Sequence, residues 1–410
     1  MPFSSVIGSS SIMQPGVCTS TNKPASPYDG QVIYMTDVDQ TAVWDGTQWT
    51  VLAPIAGGRN VIINGDMKIA QRGTSFSFPS AGGGFWWGAD RFNTIDYTWT
   101  AGSNITVSQE TSVVPTGFNS AYKIATGATG LTFGSGGVMR IRTFIEGFNI
   151  RAHYSKTMTL SFWVRSSIAG TYNLFLENGN WDASTTTRAF QPEYTISAAN
   201  TWEKKTITID MASATSAGTW GTTNGIGLGI TWCLGANANR TGDAYKSGWT
   251  TYSSIHMQTS TGTQWATNAN ATFYLTGVQL EAGAVATPFE FEDAQVTLAK
   301  CQRYYFRVGG DSVYSRFGFG QFSSATVGRG MVQTPVTLRV VPTSIEYSTL
   351  ATYDQVTLQA VTSLTLSTQG SSKNMVQFDI AVAANGSQYR WLEVVANNST
   401  SAYFGASAEL

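Results

Sequence analysis

Residues Gly225–Trp232 read GIGLGITW, and the reading of this stretch decides the fold. Ile226, Leu228, Ile230 and Trp232 fall on one side of an extended chain, while Gly225, Gly227 and Gly229 fall on the other. Side chains alternate across a strand with a period of two, so the pattern predicts a half-buried antiparallel strand. Bare glycines along one face predict a second surface lying close over them.

The same period recurs outward from this point. MTLSFWVR sets Met158, Leu160, Phe162 and Val164 on one face, and KKTITIDM sets Ile207, Ile209 and Met211 opposite Thr206, Thr208 and Asp210. Near the C-terminal end, NMVQFDIAVA aligns Val376, Phe378, Ile380 and Val382. Long Gly/Ser/Thr/Asn stretches such as PSAGGGFWWGADRF and LGANANRTGDAYKSGWTTYSS separate these runs, and no strand alternates with an amphipathic helix. The pattern predicts an all-β chain: a jelly-roll-like β-sandwich, then a short helix and a second, smaller β-sandwich. Three segments follow. Residues 1–57 hold a flexible or partner-ordered arm up to about 26 and a β-hairpin with an Asp-Gly turn in WDGTQW; residues 58–292 form the large sandwich; residues 293–410 form a helix from Asp293 to Arg303, which Glu292 or Asp293 can cap, and the distal sandwich.

Composition narrows the function classes. Charged residues make up 12% of the 410, half of the roughly 25% usual in soluble proteins. The formal net charge is −1 with no basic stripe, which excludes a nucleic-acid partner, and no apolar run is long enough for membrane insertion. So little charge predicts a surface partly covered by further copies of the chain. Three widely spaced cysteines, Cys18, Cys233 and Cys301, read as buried thiols of a reducing compartment. The start, MPFSSVIGSSSIMQPG, lacks the basic and apolar regions of a secretory signal. Only His153 and His256 are present, in no metal-ligand spacing, and there is no GxSxG elbow or CxxC pair, so the chain reads as a binding protein and not an enzyme.

NVIINGDMKIAQRGTSF followed by GADRF resembles the opening of a module found in bacteriophage tail fibres, and FYLTGVQLEAGAVATPFEFEDAQVTLAKCQRYYF resembles its end. GQVIYMTDVDQTAVWDGTQWTVL, PVTLRVVPT and the final SAYFGASAEL are similar to other pieces of such fibres. The resemblance implies a homotrimer on the virion tail, assembled in the host cytoplasm. It implies attachment to other tail proteins through the N-terminal segment and adsorption to host surface polysaccharide, such as lipopolysaccharide or capsule. A glycan depolymerase tailspike and a tail or capsid decoration protein are the alternatives. The resemblance also singles out Asn64, Gly65, Asp66, Asp90 and Arg91.

Sugars present apolar C–H faces and rings of hydroxyls, matched by flat aromatics beside amides and charged groups. Trp86, Trp87, Asp90, Arg91, Asn180, Trp181, Asp182, Trp220, Tyr245 and Trp249, read as loop residues, are the expected glycan contacts. No cofactor is expected; a structural Ca²⁺ would fall first to Asp66 and Glu281, whose hard oxygens suit it. Val296, Leu298, Cys301 and Tyr304 are the expected trimer-axis contacts.

Overall fold

The computed structural model describes residues 16–37, 40–52, 58–78, 82–101, 104–179, 187–242, 248–251, 257–384 and 386–410, with the side-chain surroundings of 82–85 and 95–101 left aside. The chain is all-β, as the period-two runs require. An eight-stranded sheet faces a six-stranded sheet, all pairings antiparallel. Ile226–Ala236 sits centrally in the larger sheet, between Gly170–Glu177 and Thr132–Glu146. Thr157–Ser166 and Thr272–Ala282 are neighbours in the middle of the smaller one.

The core between the sheets is built from the faces the sequence marked. Leu228, Ile230 and Trp232 meet Met158, Leu160, Phe162 and Val164. Trp232 stands edge-on to Phe162, ring centroids 5.6 Å apart. The glycine face is covered at two of its three positions: Ile150, Gly147 and Tyr154 lie over Gly227, and Phe144 and Glu177 close over Gly229, while Gly225 lies open. On that outer face Asn93, Arg142, Thr231 and Phe175 form one cross-strand row. All are buried, and the Arg142 guanidinium lies 4.1 Å over the Phe144 ring. Burial lowers the Arg142 pKa to about 10, against the opposing pull of Glu177.

The second β unit is present, and its strands close. Arg316–Phe322, Val327–Gln333, Met375–Val382, Leu358–Leu366, Leu350–Tyr353 and Trp391–Ala396 form a six-stranded barrel in that order. Tyr305–Gly309, Tyr403–Ser407 and Ser344–Ser348 form a three-stranded sheet beside it. Val376, Phe378, Ile380 and Val382 point into the barrel with Leu392 and Val394.

At the other end, Val32–Met35, Gln40–Trp44 and Trp49–Val51 make the expected hairpin sheet. Asp45 Oδ1 accepts from the backbone N–H of Thr47 and Gln48 in the WDGTQW turn. From residue 16 the expected arm is built into the hairpin sheet, and its first fifteen residues lie outside the described residues. Gly16–Cys18 adds a parallel strand to Val32–Met35, and Ser20 donates from its backbone and its hydroxyl to Asp37. Among the described residues no helix is long and apolar enough to cross a membrane.

Candidate functional site

Among the described residues, three of the aromatics read as loop residues, Trp86, Trp220 and Trp249, pack on the core. Trp86 and Trp87 lie in the strand Gly82–Ala89, not in a loop. The glycines of GGGFWWGA suggested a loop, but the run pairs with Phe92–Ala101 along the sheet edge. Trp86 stacks on Phe78 at 4.1 Å against the main core, and Trp87 takes the Arg72 guanidinium at 4.6 Å. Trp220 and Trp249 do come together, ring centroids 5.4 Å apart, beside Asn178, whose amide donates to the Thr219 carbonyl oxygen at 2.7 Å. Yet Trp249 is only 8% exposed and packs on Phe190, so the pair plugs the end of the sandwich. Asn180, Trp181, Asp182 and Tyr245 lie outside the described residues.

Asp90 and Arg91 belong to the joint between the sandwich and the distal unit, 2% and 3% exposed. Asp90 accepts from the backbone and side chain of Gln71, at 2.9 and 2.5 Å, and its burial raises its carboxyl pKa. Arg91 does not pair with Asp90. It binds the Glu409 carboxylate, donates to the Phe144 carbonyl oxygen at 2.9 Å and lies 3.6 Å over the Tyr304 ring. Tyr304 donates to Glu146 at 2.6 Å, which Arg303 also binds at 2.6 Å. Arg339 holds the carbonyl oxygens of Ala408 and Glu409 together with that of Asn224. SAYFGASAEL therefore ends as a strand whose last residues thread into this joint.

The same joint encloses two of the four expected axis residues. The helix Ala294–Gln302 is capped as expected, Asp293 accepting from the N–H of Gln295 and Val296, but it buries Thr297 and Cys301 one turn apart. Cys301 and Tyr304 are enclosed within the chain, and burial raises the Cys301 thiol well above its usual range. Leu298 is half-buried; Val296 faces solvent. Asp66 and Glu281 do not share a site: Asp66 pairs with Lys68 at 3.1 Å, and Glu281 takes Arg59 at 3.2 Å and Thr287. Among the described residues no three His, Cys, Asp or Glu stand together as metal ligands.

Tyr28, Phe148 and Phe291 are exposed singly elsewhere, whereas Phe319, Tyr389 and Trp391 are exposed together on the outer face of the distal barrel. Strand register sets two cross-strand rows there: Trp391–Gln321–Arg329–Asp379, and Glu393–Phe319–Met331–Gln377. Phe319 is 62% exposed and Trp391 45%. Between them and the turn before Trp391 runs a shallow groove of about 780 Å³, lined by Phe319, Gln321, Arg329, Met331, Gln388 and Tyr389 among others.

Tyr389 stands at the groove with 73% exposure and a backbone φ of 69°. A bulky residue in the left-handed region costs about 1–2 kcal/mol, which a glycine would avoid. Two contacts hold it there: its N–H donates to the Phe322 carbonyl oxygen at 2.8 Å, and its own carbonyl oxygen accepts from Gln321 at 2.8 Å. Arg329 Nε meets Asp379 at 3.1 Å. Flat apolar rings thus stand beside amides and an ion pair, all reachable from solvent. YSRFGFGQF and QYRWLEVVA read as strands in the sequence, but which of their alternating faces looks outward could not be read from them.

No protein-family model matches the chain, and no curated protein matches its sequence. Among solved structures, a family 11 carbohydrate-binding module from Clostridium thermocellum, in complex with a mixed-linked tetrasaccharide, is similar over 50% of this chain and 98% of its own at 11% identity and a TM-score of 0.27. A xylan-binding domain from Paenibacillus barcinonensis covers 54% and 96% at 14% identity and a TM-score of 0.26. A family 30 module from Clostridium thermocellum covers 51% and 97% at 7% identity and a TM-score of 0.26. At such TM-scores the likeness is distant.

Proposed function

We propose that the chain binds cell-surface glycan without turning it over, through the outer face of the distal barrel. The observation that carries this reading is Tyr389: an exposed ring held at a groove by strained backbone, with Phe319 lining the same groove and Trp391 exposed in the adjoining cross-strand row. Strain kept at a solvent-facing aromatic is a feature that clusters at ligand-contact sites. Rings flanked by Gln321 and the Arg329–Asp379 pair match the C–H faces and hydroxyls of a sugar.

The finer reading is a phage tail fibre that adsorbs to host polysaccharide. It rests on the resemblance carried by NVIINGDMKIAQRGTSF and VQLEAGAVATPFE with CQRYY. In it the chain is a homotrimer on the virion tail, assembled in the host cytoplasm and fixed to other tail proteins by its N-terminal segment. Shallow single-site contacts then add up across three copies and several fibres. An apolar groove of about 330 Å³ on the barrel, lined by Tyr314, Tyr353, Leu358 and Val395, gives neighbouring copies a surface to cover.

The test is binding of the full chain to host polysaccharide and host cells. Phe319→Ala combined with Trp391→Ala is expected to weaken binding at least about tenfold with the unfolding midpoint unchanged. Light scattering is expected to give three times the chain mass. New reducing ends released by the wild type would replace this reading with a depolymerase. Excess soluble protein that leaves virion adsorption unchanged would replace it with a decoration protein.

A further inference from the structure

We infer that the glycan taken by the barrel groove is uncharged: a run of neutral hexoses, not a uronate, sialate or phosphate-bearing polymer. This rests on the glycan reading of the same face. Among the described residues lining the groove, Arg329 is the only charged one, and its Nε is already bonded to Asp379 on the adjacent strand at 3.1 Å. The other cations nearby are matched in the same way: Arg316 with Glu393 at 3.1 Å and Arg390 with Asp354 at 3.1 Å. An approaching carboxylate or phosphate therefore meets a carboxylate beside every guanidinium, and its attraction to one is offset by repulsion from the other.

The remaining polar groups point the same way. Gln321 and Gln388 are carboxamides, each both donor and acceptor, and Ser323 adds a hydroxyl, while the Gln377 amide is taken up by the Gly370 carbonyl oxygen and Arg329 Nε. A sugar hydroxyl also gives and accepts, so it satisfies both halves of an amide, whereas an ionised oxygen only accepts and leaves the acceptors of Gln and Asp379 unmatched. Gln321 donates to the Tyr389 carbonyl oxygen at 2.8 Å, which fixes the amide against the ring it flanks. Binding that leans on rings and neutral hydrogen bonds releases few counterions, so it is insensitive to salt.

The experiment uses the full chain with two probes of the same sugar backbone, polygalacturonate and its uncharged methyl ester, together with neutral galactan, glucan and mannan. At least one neutral probe is expected to bind with less than about a twofold change between about 0.05 M and about 0.5 M NaCl, and polygalacturonate to bind at least about tenfold more weakly. Asp379→Asn is expected to raise polygalacturonate binding at least about threefold, because it removes the opposing charge. Salt-sensitive binding of polygalacturonate that falls in Phe319→Ala would overturn the neutral-ligand inference and leave the glycan reading intact. A wild-type chain that binds none of the polysaccharides, and not host cells, overturns the glycan reading and the inference with it.

Discussion

Both β units use strands in which every second residue is glycine, and they use them in opposite senses. In GIGLGITW the large side chains turn inward, and the glycines lie outward, Gly227 and Gly229 beneath a covering layer. In RFGFGQF and VGRGMVQ, Arg316–Phe322 and Val327–Gln333, the glycines turn inward and Phe319, Arg329 and Met331 look out. The reason is the shape of the space to be filled. Two sheets of a sandwich stand about 10 Å apart, and large side chains from both faces are needed to fill that gap. A six-stranded barrel is so narrow that large residues on some strands require small ones opposite. A β-carbon on Gly330 would lie 2.7 Å from Phe378 and 2.9 Å from Ile380; on Gly328 it would lie 2.8 Å from Leu392. The difference teaches that alternation defines two faces, and the enclosed volume chooses which of them is the inside.

The largest effects should fall on the residues that fill those two interiors. Trp232→Ala empties the fully buried centre of the sandwich and is expected to cost about 3–5 kcal/mol, read as a fall in the denaturation midpoint. Gly330→Val overfills the barrel and is expected to cost about 1–3 kcal/mol, since Phe378 and Ile380 must shift to admit it. A Gly330→Val chain as stable as the wild type would break the comparison, because the barrel would then have room the packing denies it. Substitutions on the barrel's other face should be nearly silent in the same assay. Phe319→Ser and Trp391→Ser are expected to stay within about 0.5 kcal/mol of the wild type, because their rings already face water.

This contrast also marks how far the sequence could be read. The all-β class, the inward faces of 158–164 and 376–382, the Asp293 cap and the cover over Gly227 and Gly229 were legible, because each depends on local period or local chemistry. The location of the candidate site was not. Trp86, Trp220 and Trp249 stand near glycines and polar residues, which read as exposed loop, and long-range packing turned them inward. Arg91 adjoins Asp90 in the chain, yet its partner is Glu409, more than three hundred residues away in sequence. Phe319, Tyr389 and Trp391 carry the opposite lesson. Their runs read as ordinary strands, and only closure of the barrel shows that these rings have nothing inside to pack against.

A substitution that should not destabilise at all gives the sharpest test of what the outer face is for. Tyr389 holds φ at 69°, and a glycine there would relieve about 1–2 kcal/mol of backbone strain. Glycine also loosens the unfolded chain, which takes back about 0.5–1 kcal/mol. Tyr389→Gly is therefore expected to leave the barrel as stable as before or up to about 1 kcal/mol more stable, while polysaccharide binding falls with loss of the ring. Tyr389→Ala separates the two contributions: it loses the ring and keeps the strain, so it should match Tyr389→Gly in binding and fall below it in stability. If both variants bind as the wild type does, the strain at Tyr389 serves the turn alone, and the outer face loses the feature that distinguishes it from the covered face of the large sheet.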